Sequence, residues 1–315
     1  MFYENGYTAL YNCDCRDALG FLAREGIRVN TVVTSPPYFA QRDYGVDGQI
    51  GLEQSIDAYV SKLVEVFRAC REVLRDDGTL WINIGDTYWC GKGAHGFDER
   101  NASRQFGVRA TDRSPPPGSG IKRKDLLLIP ARVALALQAD GWYLRSEIIW
   151  EKPNFLPSNA KDRPEMSHEK IFMFSKRSRY YYDWNAVKQP CVSNKGGSIS
   201  PKTKSAQIGT QANSRIYTEA NAYKSLNSVW TVATGGGYRC EHAAMYPVRL
   251  IEPCILAGCP EGGVVLDPFG GSGTTAVAAH QHGRNTILCE LNPDYAAIAA
   301  QRLGLKPMQD DLLAA

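Results

Sequence analysis

A chain of 315 residues, 43% hydrophobic and 22% charged, has the proportions of a folded globular protein, with room for one large α/β domain or a domain plus a smaller module. Collagen-like, disordered and coiled-coil classes are excluded, no stretch approaches the roughly 18 apolar residues of a membrane span, and the start MFYENGYTAL lacks the features of a secretory signal. The formal net charge is only +3, and the nine cysteines are scattered rather than set at framework spacings, so a cytoplasmic protein with reduced thiols and no membrane contact is expected.

In chain order, Val29 to Thr34 (VNTVVT) reads as a buried strand, which Ser35-Pro36-Pro37-Tyr38 leaves in a fixed, extended shape. Ile56, Val60, Leu63, Val64, Phe67, Cys70 and Leu74 recur at helical spacing, predicting a helix that ends near Gly78. Thr79 to Ile84 (TLWINI) is the next strand. Thr87-Tyr88-Trp89 after it suits either a pocket wall or packing at a strand end. A loop over about 88–124 follows, in which the run from Lys92 to Lys124 holds eight Lys/Arg against three Asp/Glu. Pro130 opens a helix that Gly141 closes, and Trp142 to Trp150 and Ile171 to Phe174 read as strands. The run from Lys161 to Lys224 is the second basic segment, twelve Lys/Arg against five Asp/Glu, and it includes the polar stretch Ser193–Ser214 and the aromatics Tyr180-Tyr181-Tyr182-Asp183-Trp184. Pro247 opens a helix ending about Gly258. Val264–Leu266 and Thr286–Cys289 are strands, and Asn292-Pro293 starts a last helix ending at Gly304. The alternation predicts a parallel sheet covered by helices. Three parts are expected: a catalytic part over 1–151, a smaller module over 152–240, and a closing part over 241–315.

Two motifs carry chemistry. Gly263 to Thr275 (GVVLDPFGGSGTT) is an apolar strand running through a glycine turn into a helix, where backbone N–H groups approach a ligand closely. Glu290, at the tip of the next strand, is placed to accept hydrogen bonds from both hydroxyls of a ribose, so the ligand should contain a nucleoside. No lysine follows the glycines, which disfavours the phosphate loop of NTPases. The spacing is not GxGxxG, and Asp267 would set a carboxylate where a pyrophosphate should approach. A carboxylate there suits a ligand with an ammonium group, as in S-adenosylmethionine. The second motif is Ser35-Pro36-Pro37-Tyr38. Acceptors at Ser35 and the Pro36 carbonyl can hold both hydrogens of a nucleobase amine and free its lone pair for in-line attack on a sulfonium methyl. Tyr38 would stack on a base taken out of the duplex.

Together these motifs resemble the bacterial and phage DNA amino-methyltransferases, in which Asp/Asn/Ser-Pro-Pro-Tyr/Phe holds the target amine and Phe-x-Gly-x-Gly binds S-adenosylmethionine. Phe269, Gly271 and Gly273 match the latter. The tetrapeptide lies about 230 residues before the glycine turn, an order similar to the β group of that family. The resemblance implies a Rossmann-like, seven-stranded methyltransferase sheet in circularly permuted order, with an inserted target-recognition module over 152–240. It implies catalytic roles for Ser35, Pro36, Pro37 and Tyr38. It implies cofactor contacts from Asp14 and Cys15 in the segment Asn12–Cys15, from His242 and Pro247 in the segment Glu241–Pro247, and from Asp267, Pro268, Phe269, Gly270, Gly271, Ser272, Gly273, Thr274 and Glu290. Ile149–Asn154 (IWEKPN) and His168-Glu169-Lys170 resemble segments flanking target recognition. Double-stranded DNA is the expected partner, with Lys122, Arg123, Lys124, Lys176, Arg177 and Arg179 as phosphate contacts.

Serine at the first position resembles the cytosine-N4 branch, so transfer to cytosine N4 is expected, with adenine N6 as the alternative. A methyltransferase of structured RNA and a non-catalytic nucleic-acid-binding protein are the other readings. The intact motif set weighs against the last. A cognate restriction endonuclease acting on the same site and a homodimer remain open. Cys13/Cys15, Cys254/Cys259 and Cys240-x-His242 do not form paired ligand sets, so no metal site is expected, and Cys289 is expected to be a buried small residue.

Overall fold

The computed structural model describes residues 2–89, 115, 119–155, 157–158, 160–191, 223–235 and 246–308. In chain order the elements are β1 (Phe2–Glu4), β2 (Thr8–Tyr11), α1 (Cys15–Arg24), β3 (Val29–Thr34), α2 (Ile56–Val73), β4 (Leu74–Ile84), α3 (Ile129–Ala139), β5 (Tyr143–Glu151), β6 (His168–Ser175), α4 (Trp184–Val187), β7 (Gln189–Pro190), β8 (Tyr223–Lys224), β9 (Val229–Thr231), α5 (Val248–Gly258), β10 (Val264–Asp267), α6 (Thr274–Gln281), β11 (Asn285–Cys289), α7 (Pro293–Leu303) and β12 (Lys306–Met308).

Ten strands form one sheet in the order β12-β1-β2-β11-β10-β3-β4-β6-β5-β9. Its seven central strands, β2 to β5, match the expected count; β1, β12 and β9 are short additions at the edges. The sheet is not wholly parallel. β2, β11, β10, β3 and β4 run in one direction, and β6 is antiparallel to both β4 and β5. Apolar runs bury both faces: Val32, Leu80, Ile82 and Leu266 face the layer that holds α1, α2 and α3, whereas Val33, Trp81 and Val265 face the α5 layer. This period-two split explains why the central strands read as nearly continuous hydrophobic sequence.

Local signals set the helix ends. Ser55 caps α2, its hydroxyl accepting from the Ala58 N–H at 3.1 Å, and Ile56, Tyr59, Leu63, Val66, Phe67, Cys70 and Val73 form its buried stripe. That helix ends at Val73 rather than near Gly78, because Leu74 is already extended and begins β4. Asn292 caps α7 through the Asp294 and Tyr295 N–H groups, and Gly304 closes it at φ +65°. The α3 N-terminus is capped from elsewhere in the chain: the Asp86 carboxylate, just past β4, accepts from the Ile129 N–H at 3.1 Å.

The segment 152–240 corrects the expectation of a separate module. β6 lies between β4 and β5 inside the central sheet, β9 extends its edge beside β5, and only the two-stranded β7–β8 ribbon stands apart. The periodicity of IFMF marks a strand but carries no information about its neighbours, so a central strand reads the same as one in an insertion. The basic run Ser193–Ser214 and most of the loop over 88–124 lie outside the described residues. Trp89 is 4% exposed and packs in the core, while its backbone and that of Thr87 pair with Asp125 and Leu127, which decides that segment for packing. Cys289 is fully buried, as expected.

Candidate active site

The chain turns in opposite directions from β10 and β3. β10 leads through α6 to β11 on one side, and β3 leads through α2 to β4 on the other. Ligands of open α/β sheets bind in the crevice at the carboxyl ends of such strands. A cavity of about 370 Å³ opens there, within the usual 300–1,000 Å³ of small-molecule sites. Its walls combine the glycine turn, the Ser-Pro-Pro-Tyr exit and the tips of β4, β5, β6 and β11.

Asp267 joins the two sides. Its Oδ1 accepts from the Thr34 hydroxyl at 2.6 Å and the Phe269 N–H at 3.0 Å; its Oδ2 accepts from the Tyr246 hydroxyl at 3.2 Å and from Thr275 Oγ1. Burial pushes this carboxyl above the ordinary range, and the hydrogen bonds from Thr275, Thr34, Phe269 and Tyr246 pull the other way. Burial together with the neighbouring Asp267 charge holds the Tyr246 phenol well above its usual value, so it stays a donor. The carboxylate foreseen as an ammonium partner thus also ties the tip of β10 to β3, α6 and the start of α5.

The glycine turn is shaped by close approach. Gly273 sits at φ +82°, where a Cβ would meet Leu303 Cδ1 at 2.9 Å, and a Cβ on Gly270 would come within 3.1 Å of Leu288 Cβ. Arg302, reaching back from α7, donates to the Ser272 carbonyl at 3.1 Å and to Thr274 Oγ1 at 3.0 Å. At the tip of β11, Glu290 accepts from the Gly271 N–H at 2.7 Å and the Asn292 N–H at 2.8 Å. Burial raises its carboxyl to about 7. Asn12 donates to the Glu290 carbonyl at 2.8 Å, linking the tips of β2 and β11.

Asp14 and Cys15 also line the cavity. Asp14 caps α1 and is ion-paired with Arg16. Burial works against its charge, but the Arg16 hydrogen bonds outweigh it and hold the carboxyl below the usual range. Cys15 is buried, which pushes its thiol up and keeps it un-ionised. Pro247 and Gly273 lie beside the cavity rather than on its wall: Pro247 precedes α5 and Gly273 precedes α6. His242 lies outside the described residues.

At the opposite end of the cavity, Ser35, Pro36, Pro37 and Tyr38 stand together as the sequence foresees. Tyr38 brings further residues with it. Its hydroxyl donates to Glu169 Oε2 at 2.7 Å, with Asn83 Oδ1 at 3.3 Å and Ser35 Oγ at 3.5 Å. Burial foremost, with the Glu169 charge, raises this phenol well above its usual value. Lys152 ion-pairs with Glu169 and lies 4.4 Å from the centre of the Trp150 ring. Asn83, Lys152 and Glu169 were missed as site residues. One signal was available: Asn83 is a lone amide in an otherwise apolar strand, which demands a partner. Tyr44, whose carbonyl accepts from Asn292 Nδ2 at 3.2 Å, and Tyr295, edge-on to it, were also missed.

The expected phosphate contacts divide. Lys122, Arg123 and Lys124 are exposed beside the segment that pairs with Thr87–Trp89, at the cavity end of β4. Lys176, Arg177 and Arg179 are a correction. They follow the far end of β6, where Ser175 pairs with Thr79, at the opposite edge of the sheet from the cavity. There Lys176 donates to the Leu74 carbonyl at 2.7 Å, and both Lys176 and Arg177 pair with Asp76. Charge density in the sequence could not reveal this, because β6 reverses the chain direction.

Comparison with known proteins was made against this geometry. The N6/N4 methylase family model, described as DNA methylase, matches residues 29–301. The Type II methyltransferase M.Cfr9I of Citrobacter freundii is 44% identical over 289 residues, covering 91% of this chain and 85% of that one. M.SmaI of Serratia marcescens, also a Type II methyltransferase, is 42% identical over 291 residues, covering 92% and 88%. Among solved structures, the PvuII DNA methyltransferase (cytosine-N4-specific) superposes with a TM-score of 0.61 at 19% identity, over 97% of this chain and 89% of that one. A DNA modification methylase of Thermus thermophilus, complexed with S-adenosyl-L-methionine, gives 0.55 at 23% identity, over 95% of each. These two likenesses establish the fold.

Proposed function

The chain belongs to the N6/N4 DNA methylase family, and on that premise we propose that it transfers a methyl group from S-adenosylmethionine to the exocyclic N4 amine of a flipped cytosine in double-stranded DNA. The family's cofactor is S-adenosylmethionine, and the residues present fit it: a glycine turn where added Cβ atoms would collide with neighbours, and a buried carboxylate at the tip of β11. When bound, it supplies an electrophilic methyl on a sulfonium. Glu290 would hold the ribose hydroxyls, the backbone of Gly270–Ser272 would approach the methionine end, and Asp14 would border the adenine.

One observation carries the reading: a single cavity runs from Glu290 and the glycine turn to Ser35, Pro36 and Tyr38. Ser35 Oγ and the Pro36 carbonyl are the acceptors for the two amine hydrogens. Pro37 is fixed from behind, its carbonyl accepting from the Tyr59 hydroxyl at 2.8 Å. Serine, rather than a carboxylate, beside Pro36 favours cytosine N4 over adenine N6. Target recognition falls to the parts of 152–240 outside β6 and β9. Lys122, Arg123 and Lys124 would contact phosphate, and a companion endonuclease reading the same site is the partner this reading calls for.

The test is incubation with unmodified DNA and labelled S-adenosylmethionine, then nucleoside digestion and mass spectrometry. N4-methylcytosine is the expected product. N6-methyladenine would overturn the base, and label in RNA but not in DNA would overturn the substrate class.

A further inference from the structure

We propose that Glu169, held by Lys152, is a positioning residue that acts through Tyr38, fixing the phenol so that Ser35 presents its oxygen lone pairs to the target amine. The inference rests on the amino-methyltransferase reading above and adds to its site a group from the far side of the sheet. Four elements converge: Tyr38 follows β3, Asn83 lies in β4, Lys152 follows β5, and Glu169 lies near the start of β6, whose reversed direction brings it here.

The donors and acceptors leave one consistent arrangement. Lys152 Nζ and Asn83 Nδ2 can only donate, and both face the Glu169 carboxylate, the first as an ion pair and the second at 3.2 Å. The Tyr38 hydroxyl has one proton. A carboxylate oxygen at 2.7 Å takes it in preference to the amide oxygen at 3.3 Å. The phenol oxygen is then an acceptor towards Ser35 Oγ, 3.5 Å away, a separation that a small rotation of either side chain closes. With the serine proton drawn to that side, its lone pairs remain for the amine. A carboxylate in place of Ser35 would need no such arrangement, whereas a serine must have its one proton turned elsewhere. No proton changes owner along this chain. Gly85 makes room for it: a Cβ there would lie 2.7 Å from Tyr38 Cε2 and 3.3 Å from the Glu169 carboxyl carbon.

Glu169→Gln tests the proposal at constant volume, because the new amide must turn its NH2 towards Lys152 or towards Asn83 and Tyr38. Loss of a hydrogen bond to a charged group predicts a fall in kcat of roughly 10- to 100-fold, with cofactor affinity and the KM for DNA within about threefold. Tyr38→Phe should fall comparably, and the double variant should be no slower than the slower single variant. A readout independent of turnover is the ¹⁹F spectrum of 3-fluorotyrosine-labelled protein, with the Tyr38 resonance assigned by its loss in Tyr38→Phe. Glu169→Gln should move that resonance. An unmoved resonance, full activity, or multiplicative effects in the double variant would overturn the inference. The base that the wild type labels decides the parent reading separately, since the variant-to-wild-type ratios and the spectrum hold for either base. Should the wild type label no nucleic acid, the spectrum alone decides.

Discussion

Glu290 makes cofactor binding a proton-linked event, and its size can be worked out. Burial lifts the carboxyl from 4.5 to about 7, although the Gly271 and Asn292 N–H groups favour its ionised form. The folded chain therefore holds more protons than the unfolded chain between about pH 4.5 and 7. Stability from this group is present below that window and is lost as pH rises through it, to the extent of about 3 kcal/mol. A carboxylate that must be ionised to accept two ribose hydroxyls gives the opposite trend for the ligand. Cofactor affinity should fall about 15-fold from pH 7 to 5.5, and binding at pH 7 should release about half a proton. The cofactor's own ammonium stays protonated across this range, as ordinary α-amino groups titrate near 8. Isothermal titration calorimetry in two buffers of different ionisation enthalpy reads both quantities. Glu290→Gln should bind more weakly and show neither trend. A wild-type affinity flat within about threefold over that range, or an equal slope in Glu290→Gln, would refute the linkage.

Three other perturbations separate the roles at this site. Ser35→Ala should lower methyl transfer at least about 100-fold while leaving the calorimetric cofactor affinity within about twofold; matched losses of both would sink the division between amine-holding and cofactor ends. Asp267→Ala removes the acceptor shared by Thr34, Phe269, Tyr246 and Thr275, so urea unfolding should show a loss of about 3–5 kcal/mol along with weakened cofactor binding, and an unchanged midpoint would contradict its bridging role. Replacing Lys122, Arg123 and Lys124 by alanine should reduce the slope of log affinity for DNA against log salt by roughly 2–3, whereas Arg177→Ala with Arg179→Ala should leave it unchanged, since those residues lie at the other edge of the sheet.

Much of the cofactor end was legible because its chemistry is local. The glycine turn, Asp267 and Glu290 belong to two consecutive strand-to-helix units, and Asn292-Pro293 and Gly304 mark the last helix where the structure has it. The strand Val29–Thr34 and the helix at Ile56 announce themselves by periodicity. β1, β2 and α1 were not foreseen: FYE and TALY are too short for a period to show, and the α1 cap, Asp14, sits in a segment that reads equally as a cofactor contact. The amine end was half legible. Ser35 to Tyr38 are contiguous, but Asn83, Lys152 and Glu169 reach them only because β6 lies antiparallel between β4 and β5, and no residue pattern within a strand encodes the direction of its neighbour.

The pairing of β2 with β11 joins residues near opposite ends of the chain: Thr8 lies opposite Thr286, their hydroxyls 2.5 Å apart and 278 positions separated in sequence. On a ribosome adding roughly 5–20 residues per second, β2 would wait on the order of 14–55 s for its neighbour. Until then the Ser-Pro-Pro-Tyr strand has no β10 beside it and no buried carboxylate to anchor Thr34. Nascent chains should thus carry the amine-holding tetrapeptide long before they can bind a methyl donor. Their exposed β3 edge is the surface that a chaperone, or another unfinished copy, would meet first.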